Sequence, residues 1–209
     1  MSKTRRIAII ALTIFVVGVA AIAIRGRAAI DLLWRYGFAA RPLAGLQAYA
    51  DGQDAFLAGD YKKAEPLIRE SADQGNALAV YLLGHMYQHG QGLPKDTAQS
   101  IALYRKAAEQ GYASAQLELG KMYSTADGIE QNDTEAAKLF RQAADQENMY
   151  AQFELAFLYA TGRGVEHDDK TAIELFTKAA ERGVAKSQYL LGMMYFAGKG
   201  VPQDYGIAY

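Results

Sequence analysis

Residues 79–111 read AVYLLGHMYQHGQGLPKDTAQSIALYRKAAEQG, and residues 151–183 read AQFELAFLYATGRGVEHDDKTAIELFTKAAERG. The second stretch lies two steps of 36 residues after the first, and the step holds along most of the chain. Tyr87, Tyr123, Tyr159 and Tyr195 follow it, as do Leu83, Leu119, Leu155 and Leu191. Gly84, Gly120 and Gly192 keep the register, with Ala156 in the third slot. Gly92, Gly128, Gly164 and Gly200 keep it too, without insertion or deletion. Self-similarity at a fixed period of this length is the signature of a solenoid.

Each unit reads as two helices. In the first, Ala79, Leu82, Leu83, Met86 and Tyr87 recur at spacings of three and four, which predicts a helix A over 76–89. The glycines at 90 and 92 break it. Helix B is predicted over 97–110, with Asp96, Asn132, Asp168 and Asp204 in successive N-cap slots. Asn132 and Glu135 resemble a capping box. Ile101, Tyr104, Ala107 and Ala108 form the buried stripe of helix B. Gly84 on helix A and Ala107-Ala108 on helix B let two backbones approach closely. One pair cannot bury both its faces, so neighbours must stack. The expectation is an all-α, right-handed α-solenoid of helix-turn-helix repeats. Its units are repeat 1 at 76–111, repeat 2 at 112–147 and repeat 3 at 148–183, with an incomplete repeat 4 at 184–209. Residues 43–75, with Asp60, Ser71, Ala72 and Gly75 in register, read as a capping tetratricopeptide-like repeat. Tyr209 corresponds to Ile101, early in helix B. The last unit is therefore expected to lack most of that helix, in a fragment of a longer protein or under a covering partner.

The pattern Ala-x-x-x-Leu-Gly-x-x-Tyr, then Gly-x-Gly-Val, then Asp, then Lys-Ala-Ala-Glu-x-Gly resembles the Sel-one-like repeat, a relative of the tetratricopeptide repeat. It runs over 79–111 and again over 151–183, and the resemblance covers about two thirds of the chain. It implies an adaptor that holds proteins together, often in membrane-associated or exported bacterial assemblies, and usually not an enzyme. The second unit departs from the pattern at Ala126 and Glu147.

Ahead of the repeats, residues 7–24 form an uncharged run, IAIIALTIFVVGVAAIAI. As a helix it would extend about 27 Å, close to a bilayer's hydrocarbon thickness. Lys3, Arg5 and Arg6 precede it, Arg25 and Arg27 follow, and Trp34 and Tyr36 suit an interface. The expectation is one transmembrane helix or signal anchor after a basic tail at 1–6, with a juxtamembrane linker at 25–42. Ala21-Ile22-Ala23 offers the alternative of a cleaved signal peptide, though the run exceeds an ordinary signal core. The expected location is a bacterial inner membrane, single-pass, with the repeats on the periplasmic side. Lys and Arg counts on the two sides are nearly balanced and leave the orientation open.

Up to Arg41 the chain carries seven Lys or Arg against one acid, Asp31; thereafter it carries 15 basic and 22 acidic residues. An acidic body is a poor phosphate-backbone binder, which argues against nucleic acid as a partner. The chain has no cysteine, which excludes disulfides, thiolate metal sites and a cysteine nucleophile. His85 and His89 share a helix face, but Met86 stands where a zinc hydrolase needs Glu. They read as surface histidines, and His167 stands alone. Gly90-Gln91-Gly92 and Gly198-Lys199-Gly200 neither follow a strand nor continue into GK[ST], so they read as repeat turns. No catalytic residues, metal ligands, cofactor or small-molecule substrate are expected.

Function in a solenoid sits where the repeats differ. Three rows on helix A vary most: Leu78, Ser114, Tyr150, Lys186; Leu82, Glu118, Glu154, Leu190; and His85, Lys121, Phe157, Met193. They are spaced i, i+4 and i+7 and share a face. Tyr150, Phe157, Leu190, Met193 and Phe196 are expected to form an apolar patch that binds a protein partner, bordered by Lys121, Glu118 and Glu154. The competing reading is that these side chains only pack against the next helix A. Membrane or envelope proteins are the expected partners. Alternatives are an accessory subunit of a membrane enzyme complex, using Gly18, Ala20, Ala21 and Ala23 for helix packing, and a cell-wall glycan binder using Tyr150 and Glu154.

Overall fold

The structure is a computed structural model that describes residues 41–206. The expected tail, membrane span and most of the juxtamembrane linker lie outside the described residues. Every regular element among the described residues is an α-helix, and they fall into two compact units, one ending at Ala79 and the other beginning at Val80.

The first unit holds α1 (Arg41–Leu57) and α2 (Tyr61–Asp73). Asp60 caps α2 by accepting the Lys63 N–H at 3.2 Å. Small residues set the contact of the pair. A Cβ at Gly52 would lie 2.7 Å from Ile68 Cδ1, and Ile68 is fully buried. The buried Ser71 hydroxyl donates to the Gly45 carbonyl.

Helix α3 (Ala77–His89) leads into the second unit. It is followed by α4 (Thr97–Glu109), α5 (Ala113–Thr125), α6 (Asp133–Asp145), α7 (Met149–Thr161), α8 (Asp169–Glu181) and α9 (Ala185–Ala197). Here the period becomes a set of recurring contacts. The Tyr104 ring lies against Gly84, with a Cβ there only 3.1 Å from it, and the Phe140 ring lies against Gly120 at 2.6 Å. Phe176 fills the same place beside Ala156. These rings are almost wholly buried, and each removes apolar surface worth roughly 1.5–3 kcal/mol from water.

The A-to-B turn is also standardised. The N–H groups of Asp96, Asn132, Asp168 and Asp204 donate to the carbonyls of Tyr87, Tyr123, Tyr159 and Tyr195 at 3.0–3.1 Å. Asp96, Asn132 and Asp168 then cap α4, α6 and α8 with a side-chain oxygen 3.0 Å from the N–H of the third residue on. The capping box expected at Asn132 is half formed. Its reciprocal arm is missing, because the Asn132 N–H is taken by Tyr123 and Glu135 pairs instead with Lys138 at 3.2 Å. Asp204 caps no helix among the described residues; it accepts the Gly206 N–H at 2.8 Å.

Successive repeats of this unit meet at the loops. In the loops of the later repeats, Gly128, Gly164 and Gly200 rest on the first residue of the preceding helix B. A Cβ at Gly128 would lie 2.4 Å from Thr97 Cγ2, one at Gly164 2.2 Å from the Asp133 backbone, and one at Gly200 2.7 Å from Asp169 Cβ. Arg163 adds a bidentate clip, donating from Nε and Nη2 to the Asp133 carboxylate at 3.0 and 2.7 Å. At the two departures from the repeat pattern the backbone keeps its course. Ala126 and Glu147 adopt φ of 59° and 61°, the left-handed conformation that glycine supplies at equivalent positions such as Gly162 and Gly183.

Candidate interaction surface

The sequence-predicted surface residues lie on α5, α7 and α9, the first two held by the ring-on-small-residue contact at Gly120 and Ala156. They distribute over concavities of different chemistry within the second unit. Met193 joins two of the three concavities they line.

The first is a cleft of about 470 Å³ that includes Glu118, Lys121 and Tyr150. Glu118 and Lys121 form an ion pair at 2.9 Å. Tyr150 is exposed (52%) at the start of α7. Its helix is capped by Asn148, which accepts the Tyr150 and Ala151 N–H groups at 3.1 and 3.0 Å. Tyr81 forms another part of the lining and packs against Tyr104 and Tyr112 with ring centroids 5.5 and 5.0 Å away. Arg182 closes one side and donates to the carbonyl of Glu147. Glu154 is half-buried close by. Burial pushes its carboxyl above the ordinary range, Lys121 and Lys186 oppose that shift, and Glu118 adds to it.

The second concavity is an apolar slot of about 250 Å³ between α7 and α9. Phe157 (37% exposed) and Met193 (48% exposed) stand at its rim, and Phe176 and the buried Met194 lie beneath. Leu190 also lines it, half-buried and packed against the core. Lys199 and Asp169 reach its edge. The third, about 540 Å³, gathers Met193 and Phe196 with Tyr189 and Tyr205 on α9's outer face. Phe196 and Tyr205 meet edge to face, centroids 5.4 Å apart.

Phe196 lines the third concavity and not the second, while Met193 lines both. The register counterpart of Phe196, Gln88, lies where the Tyr104 hydroxyl donates to it at 2.8 Å, on the side that receives helix B. Tyr150 and Phe157 remain exposed with α9 in place, so packing against the next helix A does not consume them.

Tyr189, 67% exposed, was missed by pattern reading. Its signal was present in the register: Tyr81 and Phe153 occupy that position in earlier repeats and stack against Tyr104 and Phe176. Arg182 was also missed, although Gln110 and Gln146 fill its slot elsewhere. Among the described residues, no group of three or more His, Cys, Asp or Glu could hold a metal ion. No helix of the described residues is long and apolar enough to cross a membrane.

The Sel1 repeat model matches residues 39–76, 77–112, 113–148, 150–184 and 185–209. A solved Sel1 repeat protein from Oxalobacter formigenes is 33% identical, with a TM-score of 0.72, over 77% of this chain and 66% of that one. The protective antigen c5321 of uropathogenic Escherichia coli, which displays an SLR fold, is 29% identical, with a TM-score of 0.74, over 88% of this chain and 39% of that one. A Sel1 repeat protein from Klebsiella pneumoniae is 26% identical, with a TM-score of 0.53, over 78% of this chain and 82% of that one. The chain thus spans less than two thirds of the length of the first two. No curated protein matches it in sequence.

Proposed function

The chain belongs to the Sel1 repeat family, whose members generally act in protein–protein interaction, and on that premise we propose that it is a non-catalytic adaptor recruiting a protein partner through the helix-A face of its second unit. One observation carries this reading. Phe157 and Met193 flank an apolar slot that their own fold leaves open to solvent. A solvent-facing slot with large apolar rims stabilises a complex by shedding water when a partner side chain enters it. The flanking Glu118–Lys121 pair would orient such a partner more than it would strengthen binding.

The adaptor is held to a membrane by residues 7–24, in a bacterial inner membrane with the repeats on the periplasmic side; the length and basic flanks of that run support this placement. Its partners are then membrane or envelope proteins. A second reading, a cell-wall glycan binder, is favoured by the cleft where Tyr150 stands beside Glu118 and Lys121.

The test is gentle-detergent purification of the tagged chain from its native membrane, with mass spectrometry of co-purifying proteins. It is repeated with Phe157→Glu plus Met193→Glu. Loss of a stoichiometric protein from a variant with an unchanged thermal melt supports the adaptor reading. Retention of that protein overturns the slot as its docking site. A stoichiometric set of integral membrane proteins would make the chain a subunit of their complex.

A further inference from the structure

His85 and His89 are the two histidines of α3, one turn apart. Their ring centroids lie 4.3 Å apart, with the planes tilted by 47°. Nothing in the repeat requires them. The counterparts of His85 are Lys121, Phe157 and Met193, and those of His89 are Thr125, Thr161 and Ala197. The helix forms equally well with any of these, so the imidazoles are surplus to the fold. His89 is exposed and His85 is half-buried, so the pair is open to solvent from one side.

We propose that His85 and His89 form a bidentate site for a divalent transition-metal ion, with water completing its coordination. Residues at i and i+4 lie on one helix face, and imidazole nitrogen suits Zn²⁺, Cu²⁺ and Ni²⁺. Rings whose centroids lie 4.3 Å apart are near enough to share one ion, and Ni²⁺ serves as the probe.

The surroundings fit the role. The Gln91 side chain lies beside His85, the kind of outer neighbour that fixes a ligand ring's orientation. Glu118, close enough to act electrostatically on His85, brings negative charge to the side of the cation. This site lies apart from the slot at Phe157 and Met193 and does not depend on the adaptor reading.

The test uses the full chain in detergent, purified with a tag that contains no histidine. Ni²⁺ binding is followed by calorimetry, and broadening of imidazole proton signals by NMR. One equivalent of Ni²⁺ is expected to bind, to raise Tm, and to broaden the signals of His85 and His89. His89→Gln, at an exposed position, and His85→Gln are each expected to weaken binding by at least about tenfold. His167→Gln, the remaining histidine, is expected to leave binding unchanged. No saturable Ni²⁺ binding, or binding that survives both substitutions on α3, would overturn the site. So would binding lost only with His167→Gln.

Discussion

The Arg141 guanidinium donates to the hydroxyl of Tyr159 at 2.6 Å, and its carbon lies 5.9 Å from the centre of the same ring. The two residues are 18 positions apart and belong to successive repeats, so the invariant tyrosine of one repeat is gripped by helix B of the one before. Arg105 and Tyr123 make the same contact more loosely, at 3.4 Å. Before Tyr195, the tyrosine of the last repeat, the position of the arginine is taken by Thr177. Tyr159→Phe removes the hydrogen bond while keeping the ring. It is expected to cost about 0.5–1.5 kcal/mol in urea unfolding. A double-mutant cycle with Arg141→Ala should return a favourable coupling; additive effects would show that the contact contributes nothing.

Gly164 and Gly111 both have positive φ, at 68° and 86°, but only Gly164 is pressed against a neighbour. Gly111→Ala meets nothing within 4 Å and is expected to cost about 1–2 kcal/mol from backbone strain alone. Gly164→Ala adds a collision with the Asp133 backbone and should cost clearly more, roughly 3 kcal/mol or above. Equal losses in chemical denaturation would mean the loop contact yields without penalty.

Ala126 stands at a left-handed C-cap where α7 and α9 place Gly162 and Gly198. Ala126→Gly relieves that strain and is expected to stabilise the protein by about 0.5–1 kcal/mol, net of the added flexibility of the unfolded chain. Glu147→Gly should gain less, because it also removes the carboxylate that faces Arg182 at 3.7 Å. A fall in Tm for Ala126→Gly would contradict the expectation.

Tyr104 is the one hydroxyl among three equivalent buried rings, the others being Phe140 and Phe176. Burial pushes its phenol far above the ordinary range, so it stays a neutral donor, and Gln88 accepts its proton at 2.8 Å. Gln88→Ala deprives that hydroxyl of its acceptor and should cost about 1–3 kcal/mol. Adding Tyr104→Phe should recover most of the loss, since a phenylalanine already serves the same slot in repeats 2 and 3. Failure of the rescue would show that Gln88 acts by another route.

Glu154 titrates above the ordinary glutamate value because it is buried, with Lys121 and Lys186 opposing that shift and Glu118 adding to it. Folding therefore favours the protonated acid. That contribution is fully present below the unfolded-state pKa and is lost as pH rises through the raised value. Glu154→Gln keeps the shape without the charge. Its Tm is expected to exceed that of the parent at roughly pH 7.5 and to converge with it near about pH 3.5. A variant that is less stable at neutral pH would mean the lysines outweigh burial.

Much of this protein was legible before any coordinates. The step of 36 residues placed each helix to within a residue or two, because amphipathic spacing and glycine breaks act locally. It also marked Gly84 as a close-approach point, though what meets it is the Tyr104 ring and not Ala107-Ala108, and Ala126 and Glu147 as the irregular turns. The candidate surface was legible only in part. Tyr150, Phe157, Met193 and Phe196 are exposed, and so are Tyr189 and Arg182, which the spacing alone did not single out.

The amino-acid order by itself determined the helix pairs, their caps and their repeating register, since those depend on backbone preferences and on side chains within a few positions of one another. Only the tertiary structure decided that the chosen residues divide into a charged cleft, an apolar slot and an outer face of α9. It also set Gly164 on Asp133 and gathered Phe196 with Tyr189 and Tyr205. The reason is physical. Side chains one turn apart share a helix face, but which part of that face meets solvent depends on where the neighbouring helices lie, and their contacts join residues 18 to 39 positions apart.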